Sequence, residues 1–573
     1  MPTLTGAQIV VRALEAEAIP FAFGIPGTHN IELYDALAES ATVRAILVTD
    51  EQSASFMADA VWRASGRLGC ANVVPGAGLT HALSGIAEAF LDNVPMLVLA
   101  CGIRRDTGHG YQLHDVDQLA IAAPVTKAQY RPLRGDELYG TLREACRVAR
   151  SGVPGPVIVE VPADLYLFTH DVTLRDPVAE PQPPFTEEAE LERALGLLRS
   201  ARRPLLYVGL GAQRAGPALV RLAERLEAPV ASTFQGKGVF PESHPLFLWP
   251  GFGRAAPPFA RDVAKDCDVM LAIGCRFSEV GTGSYGIEPP GPLIHIDIDA
   301  NVISRNYEAA VGLVGDATAL VDALLQGLGP GSAPDARLRE RIARGHRDVW
   351  REWLGESSDR VSPPRLLRAL QQAFGPDAIF TADSGNGLFL AVECLRLERP
   401  GRLLAPVDYS CMGYAVPAAV GAQLACPDAP VVALCGDGAF LMTGLELITA
   451  ASNGAPAAFF VLRDRELAQI AQFQQVAFNR KANSAVGDYD VATLAQAVGV
   501  TALRIDRDTQ IEDVVRDTAA LVRTGRPVVV DVAIDYTRKT WFTQGVVKTN
   551  LGRLPWRDRL RFITRALSRR LRS

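Results

Sequence analysis

Residues Pro430–Asp464 read PVVALCGDGAFLMTGLELITAASNGAPAAFFVLRD. Val431–Leu434 is a continuous apolar run, the pattern of a strand buried on both faces. It enters Gly436-Asp437-Gly438, then a helical pattern over Phe440–Ala451, then a second apolar run that ends at Arg463-Asp464. Strand, turn, helix and strand in this order make a parallel βαβ unit. Two carboxylates, 27 residues apart, therefore fall at the C-terminal ends of successive strands. In an open parallel sheet that edge is where ligands bind. The glycines beside Asp437 admit a ligand close to the backbone, and paired oxygen ligands beside phosphates suit Mg²⁺. The plainer alternative for a lone Gly-Asp-Gly is a turn with a helix cap.

The same alternation runs the length of the 573 residues. Arg44–Val48, Pro95–Ala100, Pro156–Val161, Pro204–Val208, Val269–Ile273, Leu293–Ile298 and Pro527–Val532 are further strand-length apolar runs between helical patterns. The expected fold class is α/β, with doubly wound parallel sheets. Two composition breaks divide the chain: the Pro-rich Asp176–Phe185 and the Gly/Pro-rich Gly327–Asp335. They predict domains at 1–175, 186–330 and 360–540, with a tail at 541–573. No short repeat is present, which argues against a solenoid.

Composition narrows the classes further. With 48% hydrophobic and 21% charged residues the chain can bury several cores, which excludes disorder as its main state. A net charge of -6 argues against wholesale nucleic-acid binding. The start, MPTLTGAQIVVRALEAEAIP, reads as a capped amphipathic helix rather than a signal peptide. No apolar run is long enough to span a membrane. Nine scattered cysteines without a C-x-x-C pair suit a reducing compartment, so a cytoplasmic location is expected.

Gly-Asp-Gly followed after about 25 residues by an oxygen ligand at a strand end resembles the fingerprint of thiamine diphosphate-dependent enzymes. The resemblance extends over nearly the whole chain and is nearest to the acetolactate synthase-like members of the pyruvate oxidase/decarboxylase group. It implies that Asp437, Asp464 and the main chain of Glu466 hold Mg²⁺ bound to the cofactor diphosphate. The family usually has Asn-Asn where this chain has Arg463-Asp464. Asp383-Ser-Gly-Asn-Gly387 resembles the loop contacting the diphosphate, which assigns Ser384, Gly385 and Asn386 to cofactor binding alongside Gly436, Gly438 and Ala439. In Met412-Gly-Tyr-Ala-Val-Pro417 the resemblance places Met412 beneath the thiazolium ring; a core methionine would look the same from sequence.

The first segment carries the complementary residues. Phe23-Gly-Ile-Pro-Gly-Thr-His-Asn30 resembles the first strand-to-helix loop of the family and assigns Pro26 and Gly27 to the cofactor. Glu51 matches the activating glutamate that hydrogen-bonds the aminopyrimidine, a role that needs a proton held at working pH. The alternative is an acid stabilising a helix N-terminus. Gly76-Ala-Gly-Leu-Thr-His81 matches a loop written G-P-G-x-x-N, with Ala77 and His81 as departures. Counted back from Lys127, His114 falls where acetolactate synthases carry an active-site Gln, and an imidazole there can protonate a substrate oxygen. Tyr111, Gln469 and Phe473 are expected in the substrate pocket. In the middle segment Gly209-Leu-Gly211 is a loose dinucleotide-like turn, so FAD is left open.

The reaction implied by the resemblance is decarboxylation of a 2-oxo acid to an enamine, followed by addition to a second carbonyl compound. The alternatives are a 2-oxo acid decarboxylase without carboligation and a flavin-dependent pyruvate oxidase-like enzyme at the membrane surface. In the family, Glu51 and the metal site come from different subunits, which implies a homodimer or homotetramer. Residues 541–550 are candidates to close over the site. Trp556, Leu560, Ile563, Leu567 and Leu571 form one helical stripe, and seven arginines against Asp558 give residues 556–573 a charge of +6. That leaves -12 on the remainder. Such a helix either lies on an anionic membrane or docks its stripe on the protein.

Overall fold

The computed structural model describes residues 2–175, 185–331, 333–355 and 358–570, so most of the Pro-rich break at 176–184 lies outside the described residues. Three six-stranded parallel sheets follow one another along the chain. The first runs, edge to edge, Arg44–Leu47, Phe21–Gly24, Gly69–Val73, Met96–Gly102, Pro156–Pro162 and Ala128–Tyr130. The third runs Leu403–Leu404, Ile379–Ala382, Val431–Gly436, Ala458–Leu462, Val528–Val532 and Thr501–Ile505, and so repeats the strand order of the first. The middle sheet differs. Its sequence Phe247–Pro250, Val230–Ser232, Pro204–Val208, Val269–Ile273, Leu293–Asp297, Val311–Val314 is the order of dinucleotide-binding folds.

Continuous apolar strands are explained by burial on both faces. Leu97, Leu99 and Cys101 point into one core, and Met96, Val98 and Ala100 into another. The second core also takes Val431, Ala433, Phe459 and Val461 of the third sheet. The outer domains thus share one interior, made where helix Glu51–Ser65 packs on helix Ala415–Ala425. Gly421 permits this approach, because a Cβ there would collide with the Met57 carbonyl. Alternate residues Val432, Leu434, Phe460 and Leu462 face the core shared with the middle domain.

The chain ends order as local signals predict. Thr5 caps helix Gly6–Ala16 in a reciprocal capping box with Gln8. Helix Trp541–Arg553 begins at Thr540 and lies on the middle domain, where Arg553 donates to the Tyr285 carbonyl at 2.9 Å. Its first turn is fixed by Phe542, stacked on Phe389 with ring centroids 4.2 Å apart. Helix Trp556–Arg570 follows and sets Phe562 against Phe478. Among the described residues no helix is long and apolar enough to cross a membrane.

Glu393 lies beneath that first turn and accepts the Phe542 N–H at 2.9 Å. Burial pushes its carboxyl from 4.5 up to about 8. At low pH the group is protonated in both folded and unfolded chains. As pH rises from 4.5 towards 8 the unfolded chain gains by ionising, so stability is lost over that window. Glu393→Gln keeps an acceptor for Phe542 and removes the loss. In thermal unfolding the variant should match the wild type near pH 5 and exceed it by on the order of 3 kcal/mol at pH 8; a constant gap would contradict this.

Candidate active site

The ladder between Val431–Gly436 and Ala458–Leu462 pairs Gly436 with Leu462, so Asp437 and Asp464 leave the sheet at the same edge. Asp437 opens helix Asp437–Thr443. Its carboxylate accepts Gly438 N–H at 2.8 Å and Arg465 N–H at 2.7 Å, and its carbonyl accepts the Tyr489 hydroxyl at 2.8 Å. Among the described residues Asp464 accepts one hydrogen bond, a long one of 3.4 Å from Glu466 N–H. Burial first, and the Asp437 charge second, push its carboxyl up to about 7; burial raises Asp437 as well. The two carboxylates are thus desolvated side by side, with the Arg463 and Arg360 charges offsetting only part of the shift. The Glu466 side chain pairs with Lys481 at 2.6 Å, which leaves its main chain for that purpose.

Arg463 explains its own departure from the family pattern. Its side chain turns away from Asp464 and forms two bonds with Asp531, at 2.8 and 2.9 Å, both residues being buried. The extra positive charge is thereby neutralised on the far side of the strand end.

Beside this pair, Asp383 accepts the Tyr414 N–H at 2.7 Å while its second oxygen has no partner, and burial raises it to about 6. Asn386 is buried with its side-chain oxygen unpartnered, and Ser384 is hydrogen-bonded to Ser410 at 2.6 Å. A Cβ on Gly436 would point into open space, whereas one on Gly438 would approach Leu467 and the Met412 methyl. Met412 is therefore drawn to the Gly-Asp-Gly turn. Gly385 has φ +117°, and Ala439 is buried in the first helical turn.

A second group forms at the carboxyl edge of the first sheet. Asp50 caps helix Glu51–Ser65 through Gln52 N–H at 2.8 Å, which places Glu51 in the first turn, only 8% exposed. Gly78 leaves room for this carboxyl, since a Cβ there would press on Glu51 Oε1. His81 Nδ1 stands 3.4 Å from Asp50 and 3.6 Å from Glu51. His114, at φ +66°, stacks near His29 with ring centroids 5.4 Å apart, and its Nδ1 is buried without a partner. Burial first and His114 second lower the His29 pKa. Gln118 ties these loops together by accepting Gly76 N–H and donating to the Cys101 carbonyl. Pro26 is exposed, and Gly27 N–H is held by Asn30 at 2.8 Å.

Not every expected residue joins these groups. Tyr111 stands fully exposed. Gln469 and Phe473 lie on helix Ala468–Phe478, where Gln469 meets Thr543 at 3.4 Å. Among the described residues no hydrogen bond or ion pair joins Glu51 to Asp437 or Asp464 within one chain. His29, Asp383, Tyr489 and Asp531 are the site residues that sequence reasoning passed over. His29 and Asp383 sat inside motifs already singled out.

Comparison with known proteins shows the family. Residues 4–121 match the N-terminal TPP binding domain of thiamine pyrophosphate enzymes, 191–324 the central domain and 383–532 the C-terminal TPP binding domain. The chain is 32% identical over 557 residues to an acetolactate synthase of Mycobacterium bovis, covering 94% of this chain and 89% of that protein. It is 30% identical over 559 residues to the acetolactate synthase isozyme 3 large subunit of Escherichia coli K12, covering 93% and 96%. Against a probable acetolactate synthase large subunit of Methanocaldococcus jannaschii the identity is 30% over 560 residues, covering 93% and 92%. The chain belongs to the thiamine pyrophosphate enzyme family, and it is a thiamine diphosphate-dependent enzyme.

Removing one member of a buried ion pair costs about 3–5 kcal/mol, because the other is left charged and unpaired. Arg463→Ala should therefore destabilise the protein by that order in denaturant unfolding. Arg463→Ala combined with Asp531→Ala should recover part of the loss. No recovery would mean that the pair is not coupled.

Proposed function

We propose that this enzyme is a carboligase that takes a 2-oxo acid, releases CO₂ and joins the remaining acyl carbon to a second carbonyl compound. The observation that carries the reading is the pair Asp437 and Asp464, brought to one sheet edge and desolvated there. The names of the relatives, acetolactate synthases, favour carboligation over simple decarboxylation.

The residues present fit the cofactor and its cation. The unpartnered oxygens of Asp383 and Asn386, the open space over Gly436 and the carboxylate pair form a polar cradle that wants a cation and phosphate. Asp437, Asp464 and the Glu466 main chain would hold Mg²⁺; Ser384, Gly385, Asn386, Gly436, Gly438 and Ala439 would hold the diphosphate, with Met412 beneath the thiazolium ring. Bound thiamine diphosphate supplies the carbon nucleophile and the electron sink for decarboxylation. Pro26, Gly27 and His81 would border the pyrimidine. The Glu51 carboxyl would hydrogen-bond the pyrimidine ring nitrogen. His114 presents an unpartnered Nδ1 to a substrate oxygen. His29, its pKa lowered by burial and by His114, lies beside it. Tyr111, Gln469 and Phe473 would complete the pocket.

A second copy of the chain completes the site in this reading. The two residue groups are not joined within one chain, and Leu441, Met442, Leu445 and Ile448 beside Asp437 expose 42–54% of their surface. FAD is not invoked. At the Gly209 turn the Gly209, Gly211 and Ala212 amides already donate within the chain, which leaves few donors for a pyrophosphate. The free thiols of all nine cysteines suit a cytoplasmic setting. At the tail, Trp556 and Leu560 remain exposed while Phe562 docks, so that face is available for peripheral membrane contact. Deleting 556–573 should lower co-sedimentation with anionic liposomes; unchanged sedimentation removes membrane contact.

Incubation with thiamine diphosphate, Mg²⁺, a panel of 2-oxo acids and aldehyde or oxo-acid acceptors tests the reaction. The expected product contains a new carbon–carbon bond, and Glu51→Gln should lower kcat at least about 100-fold. Release of the free aldehyde alone, whatever acceptor is present, would make the enzyme a decarboxylase.

A further inference from the structure

The Glu51 carboxyl is nearly closed off from solvent, yet the role proposed for it requires a proton to arrive and leave. His81 supplies the connection. It sits in the second turn of helix Ala77–Leu91, and in the single chain its side chain is 59% exposed while that of Glu51 is only 10% exposed. Its Nδ1 faces Glu51 Oε2 at 3.6 Å and Asp50 Oδ2 at 3.4 Å. Proton transfer over these distances needs the imidazole to swing closer to the carboxyl. The other oxygen of Glu51, Oε1, is turned to Gly78. Tyr34 also faces Glu51, but burial raises its hydroxyl far above neutrality, so it exchanges no proton there. Asp50 is engaged in capping Gln52 and orients the imidazole.

We infer that His81 is a proton relay between solvent and Glu51, an inference that rests on the proposed role of Glu51. The step is balanced without any other reactant. The proton on His81 Nδ1 passes to Glu51 Oε2, and Nε2 takes one from water. One proton thus moves from solvent to the carboxylate, and the reverse returns it. The family pattern ends this loop in Asn, which carries no titratable proton. His81 acts through Glu51 and is a positioning and proton-transfer residue.

The test uses the holoenzyme with thiamine diphosphate and Mg²⁺ in D₂O, reading exchange of the cofactor C2 proton by acid-quenched NMR. His81→Asn and His81→Ala should each slow exchange roughly tenfold at neutral pH. Added imidazole should restore the rate in His81→Ala only. Melting temperature should stay at the wild-type value, as expected for a side chain 59% exposed. Wild-type exchange rates in both variants would overturn the relay. So would a loss that imidazole fails to restore. Glu51→Gln separates the two claims. If it exchanges at the wild-type rate, the role of Glu51 itself is wrong. If it is slow while the His81 variants are normal, only the relay fails.

Discussion

The register of one parallel ladder governs this protein. Because Gly436 lies opposite Leu462, the chain must bring out Asp437 and, two residues further on, Asp464 at a single sheet edge. Burial raises both carboxyls and the Asp437 charge raises Asp464 further, while Arg463 and Arg360 offset only part of this. The strand end also separates consecutive side chains. Arg463 is directed to Asp531 and Asp464 to the site, so a positive charge next in sequence does not quench the pair. What remains is a place of high negative potential bordered by backbone N–H groups and unpartnered polar oxygens. That combination suits a cation together with an anion better than either alone.

A second constraint keeps the domains in place around that edge. Arg63, on the helix that begins with Glu51, bonds Asp59 at 2.6 Å and Asp92 at 2.9 Å and is buried with both. Asp59 also accepts the Tyr414 hydroxyl at 2.6 Å, and Asp92 accepts Gln235 from the middle domain and two backbone amides at 407–408. All three domains meet at this cluster. Such a network, costly when one member is missing, fixes a unique arrangement of domains. It sits directly behind the Met412–Pro417 segment, so the placement of Met412 is coupled to domain packing.

Much of the fold was legible because long buried strands are continuous apolar runs. Ala128–Tyr130, Leu403–Leu404 and Thr501–Ile505 were not, since edge strands are short and half exposed and carry little pattern. The helix expected over Phe440–Ala451 starts at Asp437 and breaks at Gly444–Glu446, where the Glu446 carboxylate reaches back to the Thr49 amide. That bond spans almost 400 residues, and no local signal encodes it. The site divides the same way. Asp437, Asp464 and Glu51 announce themselves by position at strand and helix ends. The Arg463–Asp531 pair, and the meeting of His29 with His114, depend on tertiary placement alone. At the tail, the apolar stripe through Trp556 and Leu560 is present, but the docking contact is made by Phe562 and Arg565, both over Phe478.

The most direct measurement of the central claim is the position of the bound cation. Crystals grown with thiamine diphosphate and Mn²⁺ should give one strong anomalous peak per site between the Asp437 and Asp464 carboxylates, in contact with the Glu466 main chain and the diphosphate. A peak elsewhere, or a diphosphate seated away from Gly436–Ala439, would contradict the account.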